Sequence, residues 1–182
     1  MNNTAKQQRI SNENSIIKIM IVEDNRFIRI GWEAVIQANK NFSLVGSFSD
    51  CETALKSDAP QKTDLVLMDI GLPGMSGIEG VKLLKEKYPE IVIVMCTVHD
   101  DSEEIFQAIC AGAVGYLTKR TSPEELIKAL SEAYNGGSPM TPSVARKVIS
   151  SFQNIKDSNN DNKTSELNER EQQILNLMAQ GK

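Results

Sequence analysis

Apolar residues recur along this chain with two alternating spacings. Short runs stand at KIMIV (Lys18–Val22), FSLVGSF (Phe42–Phe48), DLVLMDI (Asp64–Ile70), IVIVMCTV (Ile91–Val98) and AVGYLTK (Ala113–Lys119). Runs of this length, rich in β-branched side chains, predict five strands. Helical stripes lie between them. Ile28, Gly31, Trp32, Val35 and Ile36 fall on one face of a first helix, and Glu52–Lys56 predicts a short second one. A third covers about Ile78–Tyr88 and is halted by Pro89; a fourth covers Ser102–Ala111. The fifth has Ser122 as cap, Pro123 at its first position and Glu125 closing a capping box. Its core stripe is Leu126, Ala129, Leu130 and Ala133, and the Asn135–Gly137 stretch ends it.

Strands alternating with helices imply a parallel sheet covered on both faces, a doubly wound α/β fold. The pattern changes after Gly137. SVARKVISSF (Ser143–Phe152) predicts one more helix, and QNIKDSNNDNKTSE (Gln153–Glu166) reads as a flexible polar linker. LNEREQQILNLMAQGK (Leu167–Lys182) opens a further helix capped by Asn168, with Ile174, Leu175 and Met178 on its apolar face. The expected organisation is a disordered tail over 1–17, a domain over 18–137, a helix and linker over 138–166, and a fresh helical unit over 167–182.

Composition narrows the classes. The chain has 182 residues, is 40% hydrophobic and carries a net charge of −4, so no global basic field points to nucleic acid or membrane. The polar first fifteen residues lack the core of a signal peptide, and no stretch approaches the roughly 18 apolar residues of a membrane span. A cytoplasmic protein is expected. Cys51, Cys96 and Cys110 are widely spaced and read as buried reduced thiols. A lone histidine, His99, cannot build a histidine metal site.

Candidate chemistry gathers at the carboxyl ends of the strands, where open α/β sheets bind ligands. The first strand runs into Glu23-Asp24, the third into Asp69, the fourth into Thr97 and the fifth into Lys119. Crowded carboxylates repel, and a hard divalent cation removes the conflict. Mg2+ prefers one or two carboxylates with water and phosphate oxygen. Asp24 and Asp69 suit direct ligation, Glu23 ligation through water, and the backbone carbonyl of Gly71 a further contact. A metal beside a free carboxylate oxygen points to phosphoryl transfer, with Asp69 as nucleophile forming an aspartyl phosphate. Lys119 would neutralise a phosphoryl oxygen and Thr97 would hydrogen-bond the product phosphate.

These residues resemble the receiver domain of bacterial two-component response regulators. The matching pieces are IVEDN (Ile21–Asn25), MDIGLPGMSG (Met68–Gly77), Thr97 and GAVGYLTK (Gly112–Lys119), within a resemblance covering about Lys18–Gly136. The resemblance implies a flavodoxin-like sheet of order 2-1-3-4-5, with Asp69 as phosphoacceptor and Glu23 and Asp24 as the metal-binding pair. It implies Thr97 as switch hydroxyl and Tyr116 as the aromatic that moves inward with it. The phosphodonor would be a histidine kinase or a small acyl phosphate. The domain would promote its own phosphorylation and dephosphorylation without being an enzyme otherwise. The Leu167–Lys182 tail resembles the opening of a LuxR-type helix-turn-helix domain, which suggests the NarL/FixJ subfamily. That resemblance implies a homodimer on phosphorylation, with Phe27 and Ile30 off the core stripe of the first helix and beside the fifth. Only the first helix of the DNA-binding unit would be present, and residues 156–182 hold more acids than bases, so promoter DNA would be bound only through the remainder.

Other classes fare worse. A receiver acting only as relay or phosphate sink needs no linker and no fresh capped helix. A magnesium phosphatase with an aspartyl nucleophile would want an acid two residues on, where Gly71 stands. A dinucleotide enzyme would want a Gly-rich turn after the first strand, where EDNRF stands instead.

Overall fold

A computed structural model describes residues 16–98 and 101–150. Five strands form one parallel sheet: β1 (Ile17–Val22), β2 (Phe42–Phe48), β3 (Leu65–Met68), β4 (Val92–Thr97) and β5 (Gly115–Thr118). Their order is β2-β1-β3-β4-β5, as the family resemblance implied. The crossovers are α1 (Arg26–Ala38), α2 (Cys51–Lys56), α3 (Gly77–Lys87) and α4 (Ser102–Ala111), with α5 (Pro123–Tyr134) following β5.

Side chains alternate across each strand, so every central strand must feed two cores. Ile19, Ile21, Leu65, Leu67, Val92, Val94, Cys96 and Leu117 meet Trp32 and Ile36 of α1 and the predicted Leu126, Ala129, Leu130 and Ala133 stripe of α5. Met20, Val22, Val66, Met68, Ile93, Met95 and Tyr116 meet α2, α3 and α4 through Cys51, Ala54, Val81, Leu84, Ile105 and Ala108. Each fully buried aliphatic chain contributes about 1.5–3 kcal/mol, and the runs of them along β1, β3 and β4 suit these to be the interior strands.

Local chemistry fixes the helix ends. Asn25 accepts the Phe27 and Ile28 amides at 3.0 and 3.3 Å and starts α1 directly after the acidic pair. Ser76 with Glu79, and Ser122 with Glu125, form reciprocal capping boxes on α3 and α5. Gly112, at φ 113°, closes α4 in the left-handed conformation.

Several expectations need correction. The tail does not reach residue 17, because Ile17 is already paired with Phe42 in β1. Gly31 is exposed with open space beyond its Cα, so the buried side of α1 is narrower than the sequence stripe. Cys110 is exposed: two residues past buried Ala108, it points to the far side of α4. Cys51 and Cys96 are buried as expected, and burial pushes their thiols up to about 12. A 3-10 turn at Pro60–Lys62 was not foreseen. The expected tail up to residue 15, His99, the linker and the Leu167–Lys182 helix lie outside the described residues. Among the described residues, no helix is long and apolar enough to cross a membrane.

The chain beyond Gly137 stays on the sheet domain. The Tyr116 amide donates to the Pro139 carbonyl at 2.9 Å, and Met140 bridges Tyr116 in parallel at the sheet edge. A helix follows over residues 142–150, as predicted. Its Val144 is 1% exposed and joins the core shared by Tyr116, Ile105 and Ala108. Val144→Ala should therefore lower unfolding free energy by about 2 kcal/mol, read from urea midpoints. An unchanged midpoint would show that this helix is not part of the folded unit.

Candidate functional site

The carboxyl ends of β1, β3, β4 and β5 share one edge of the sheet, and ladder bonds continue past them to lock the chemistry in place. The Glu23 amide donates to Phe48 O at 3.0 Å, the Asp69 amide to Val22 O at 3.0 Å and the Lys119 amide to Thr97 O at 3.0 Å. Four sequence-predicted residues meet here. One carboxylate oxygen from each of Glu23, Asp24 and Asp69 lies within 4.8 Å of the others. Glu23 and Asp69 are buried and Asp24 is exposed, so the group opens to solvent on one side.

Lys119 enters from β5. Its Nζ donates to Asp69 Oδ2 at 2.8 Å and to Glu23 Oε1 at 2.8 Å. Glu23 Oε2 is also only 2.7 Å from that ammonium, yet it is fully buried and accepts no hydrogen bond of acceptable geometry. The Trp32 ring lies 5.8 Å from Nζ and adds a cation–π contact. Burial raises the Glu23 carboxyl above its ordinary value, and the nearby Asp69 charge adds to this against the opposing pull of Lys119. Burial alone would lower Lys119, but its hydrogen bonds and charges from Asp69 and Glu23 win and hold it above its ordinary value. Burial thus dominates at Glu23, while at Lys119 the two buried carboxylates outweigh it.

A hard divalent cation answers the imbalance of three carboxylates around one ammonium. The donor set is oxygen only, one member is solvent-facing, and Glu23 Oε2 is buried with an unfilled acceptor position. These residues fit Mg2+. Gly71, the expected backbone ligand, lies two residues beyond Asp69 on the exposed lip of the same loop. The loop is tightly closed: the Leu72 and Gly77 amides both donate to Ile70 O at 2.9 Å. A Cβ at Gly77 would stand 1.9 Å from the Asp69 carbonyl oxygen, so α3 starts against the backbone of Asp69 and only glycine fits.

Thr97 is fully buried at the end of β4. Tyr116 is fully buried too, opposite Met95 in register and on the same sheet face as Thr97 by strand alternation. It is buried in the core that includes Val144, with Met140 bridged to it. Two supporting residues escaped the sequence reading. Asn25 both caps α1 and donates its amide to Glu23 Oε1 at 3.1 Å; an Asn directly before a helical stripe is a legible signal. Arg29 Nη1 donates to the carbonyls of Glu23 and Asp24 at 2.5 and 3.2 Å, and no local pattern marks it.

Residues 19–131 match the family of the response regulator receiver domain. The chain is similar to the transcriptional regulatory protein YxjL of Bacillus subtilis (strain 168), 34% identical over 166 residues that span 91% of this chain and 76% of that protein. It is similar to the response regulator UvrY of Escherichia coli (strain K12), 29% identical over 91% of this chain and 75% of that protein. Among solved structures it resembles a two-component response regulator of the LuxR family from Aurantimonas sp. SI85-9A1, with a TM-score of 0.70 and 30% identity over 76% of this chain and 99% of that one.

The raised Glu23 carboxyl has a consequence for pH. Relative to the unfolded chain it favours the fold below the ordinary carboxylate range, and that contribution is lost as pH rises through the raised value. At neutral pH its ionised form is thus a cost. Glu23→Gln, which keeps an acceptor for Lys119, should raise the metal-free thermal midpoint at pH 7, with the gain shrinking as pH falls into the acidic range. A midpoint equal to or below that of the parent at pH 7 would contradict this electrostatic picture.

Proposed function

Because this chain belongs to the response regulator receiver family, we propose that Asp69 is the phosphoacceptor of a two-component system and that its phosphorylation controls dimerisation and transcriptional output. The observation that carries this reading is the single ammonium of Lys119 held between buried Asp69 and Glu23, with Asp24 completing a three-carboxylate group.

In the transfer, a carboxylate oxygen of Asp69 forms a bond to phosphorus as the bond from phosphorus to the donor breaks. The donor is a histidine kinase, whose imidazole nitrogen leaves with the electron pair, or a small acyl phosphate, whose carboxylate oxygen does. Asp69 is positioned by its own loop, since Oδ1 accepts the Ile70 amide at 2.8 Å. Lys119, 2.8 Å from Oδ2, neutralises charge on the arriving phosphoryl oxygens. Glu23, Asp24 and Asp69, with the Gly71 carbonyl, would hold Mg2+. Bound there, Mg2+ would neutralise the acids and draw charge from the phosphoryl group. The chain thus accepts a phosphoryl group and later loses it, rather than turning over a separate substrate.

Thr97 is the group at the end of β4 suited to hydrogen-bond the new phosphate, and Tyr116 on β5 shares its face of the sheet. Together they form the two-state element through which added charge changes the surface of α4, β5 and α5. Phe27 is 85% and Ile30 49% exposed on α1; with α5 they form the proposed dimer surface. Along α4 and α5, Ile105 is core, while Phe106, Ile127 and Tyr134 are half-buried. Output is transcriptional, as the kinship with the transcriptional regulatory protein YxjL supports, through a LuxR-type DNA-binding unit that begins at residues 167–182.

Supplied with acetyl phosphate and Mg2+, the purified chain should take up one phosphoryl group, detected by intact-mass spectrometry, and Asp69→Ala should abolish uptake. Continued uptake in that variant would assign the nucleophile elsewhere. Thr97→Ala should leave uptake largely intact but remove the phosphate-dependent rise in mass seen by light scattering. Dimerisation that still tracks phosphate would refute the relay through Thr97.

A further inference from the structure

The loop from Asp69 to Ser76 joins the phosphoacceptor to α3 and carries Gly71. Its ends are fixed by the double acceptance at Ile70 O and by the Ser76–Glu79 capping box. Its middle is gripped from outside, by α2. That helix is short, six residues, and is started by Asp50, which accepts the Thr53 amide at 2.7 Å. Its second residue is Glu52, whose Oε1 accepts the Met75 amide at 2.9 Å across a separation of 23 residues. Gly74, directly before Met75, holds a left-handed φ of 74°. A Cβ there would stand 2.4 Å from Glu52 Oε1. The loop conformation and the carboxylate therefore need each other: glycine leaves the space that the acid fills, and the acid satisfies the amide that the turn presents. The other oxygen, Oε2, is buried and accepts no hydrogen bond. A carboxylate held this way at the cost of an unsatisfied oxygen is a strong acceptor in a poorly solvated setting.

We propose that Glu52 is a positioning residue of the phosphoacceptor site, holding the Asp69–Ser76 loop so that Asp69 and the Gly71 carbonyl present a preformed half of the cation and phosphoryl pocket. Glu52 touches neither. It acts through the Met75 amide and the turn at Gly74, and Cys51 beside it reinforces the grip by filling the space over Gly80, where a Cβ would lie 2.4 Å from Sγ. The inference rests on the phosphoacceptor reading given above.

The test uses the full chain. Binding of beryllofluoride with Mg2+ is followed by fluorescence of Trp32, which is the chain's one tryptophan and sits over Lys119. Exchange of the Met75 amide with deuterium is followed in the same proteins without ligand. Glu52→Gln keeps an oxygen for the Met75 amide; Glu52→Ala does not. Glu52→Ala should weaken beryllofluoride binding about tenfold, the scale of one lost charge-assisted hydrogen bond, and should speed Met75 exchange. Glu52→Gln should restore most of both. Gly74→Ala, which drives a methyl into the carboxylate, should weaken binding as Glu52→Ala does. A Glu52→Ala protein that binds as the parent does, or a Glu52→Gln protein as weak as Glu52→Ala, overturns the proposal. A parent chain that fails to bind beryllofluoride at all overturns the phosphoacceptor reading itself, and the positioning role with it.

Discussion

One ammonium between two buried carboxylates organises this edge of the molecule. Burying three charges within a few ångströms is costly, and the attraction between them repays it only when geometry and further hydrogen bonds are good. Lys119 reaches Asp69 Oδ2 and Glu23 Oε1 at 2.8 Å, the Ile70 amide satisfies the other oxygen of Asp69, and the Asn25 amide shares Glu23 Oε1, which leaves Glu23 Oε2 without a hydrogen bond. The balance of charge is not neutral, because Asp24 adds a third acid. A structural ion-pair network would have no use for that surplus. On the proposed function the surplus has a use: a bound cation would cancel the excess and let Lys119 engage incoming phosphoryl oxygens.

Parallel topology is what makes such a cluster possible. Glu23, Asp69, Thr97 and Lys119 are distant in sequence, yet each stands at the same end of its strand. The register places Val22 beside Met68, Met68 beside Met95 and Met95 beside Tyr116, so Glu23 and Asp69 arrive level with one another, and Thr97 and Lys119 stand one and two residues further along their strands. The apolar strands beneath them are buried on both faces and hold that level rigidly. Precision at the site is thus inherited from the two cores, while the loops above supply the chemistry.

The same topology explains which residues could be read from sequence. An apolar run ending in an acid or a lysine names both a strand and a group at its tip, so Glu23, Asp24, Asp69 and Lys119 were legible together. The α5 cap was legible because Ser122, Pro123 and Glu125 each report the same boundary. Arg29 and Glu52 were not, because each reaches a backbone group outside any capping spacing: Arg29 the carbonyls of Glu23 and Asp24, Glu52 an amide 23 residues away. Gly31 was misread because a stripe counts spacing, and spacing does not say how wide the facing sheet is. Cys110 was misread because residue type was weighed above its angle on α4. The fate of Tyr116 was hidden for a different reason: its burial depends on Met140 and Val144, beyond the Gly137 boundary at which the domain was expected to close.

That last contact links two ends of one short strand. Lys119 comes directly after β5 and is tied to Thr97 through its amide. Tyr116, three residues earlier, offers its amide to Pro139 and its ring to the core that holds Val144. A four-residue strand is too short to absorb displacement within itself, and close-packed cores shift between discrete arrangements rather than deform smoothly. The positions of Lys119 and of the chain at residues 139–144 are therefore constrained by the same element. The strand that completes the charged site is also the strand on which residues 139–144 rest, so the chemistry of the pocket and the position of the chain leaving the receiver cannot be set independently.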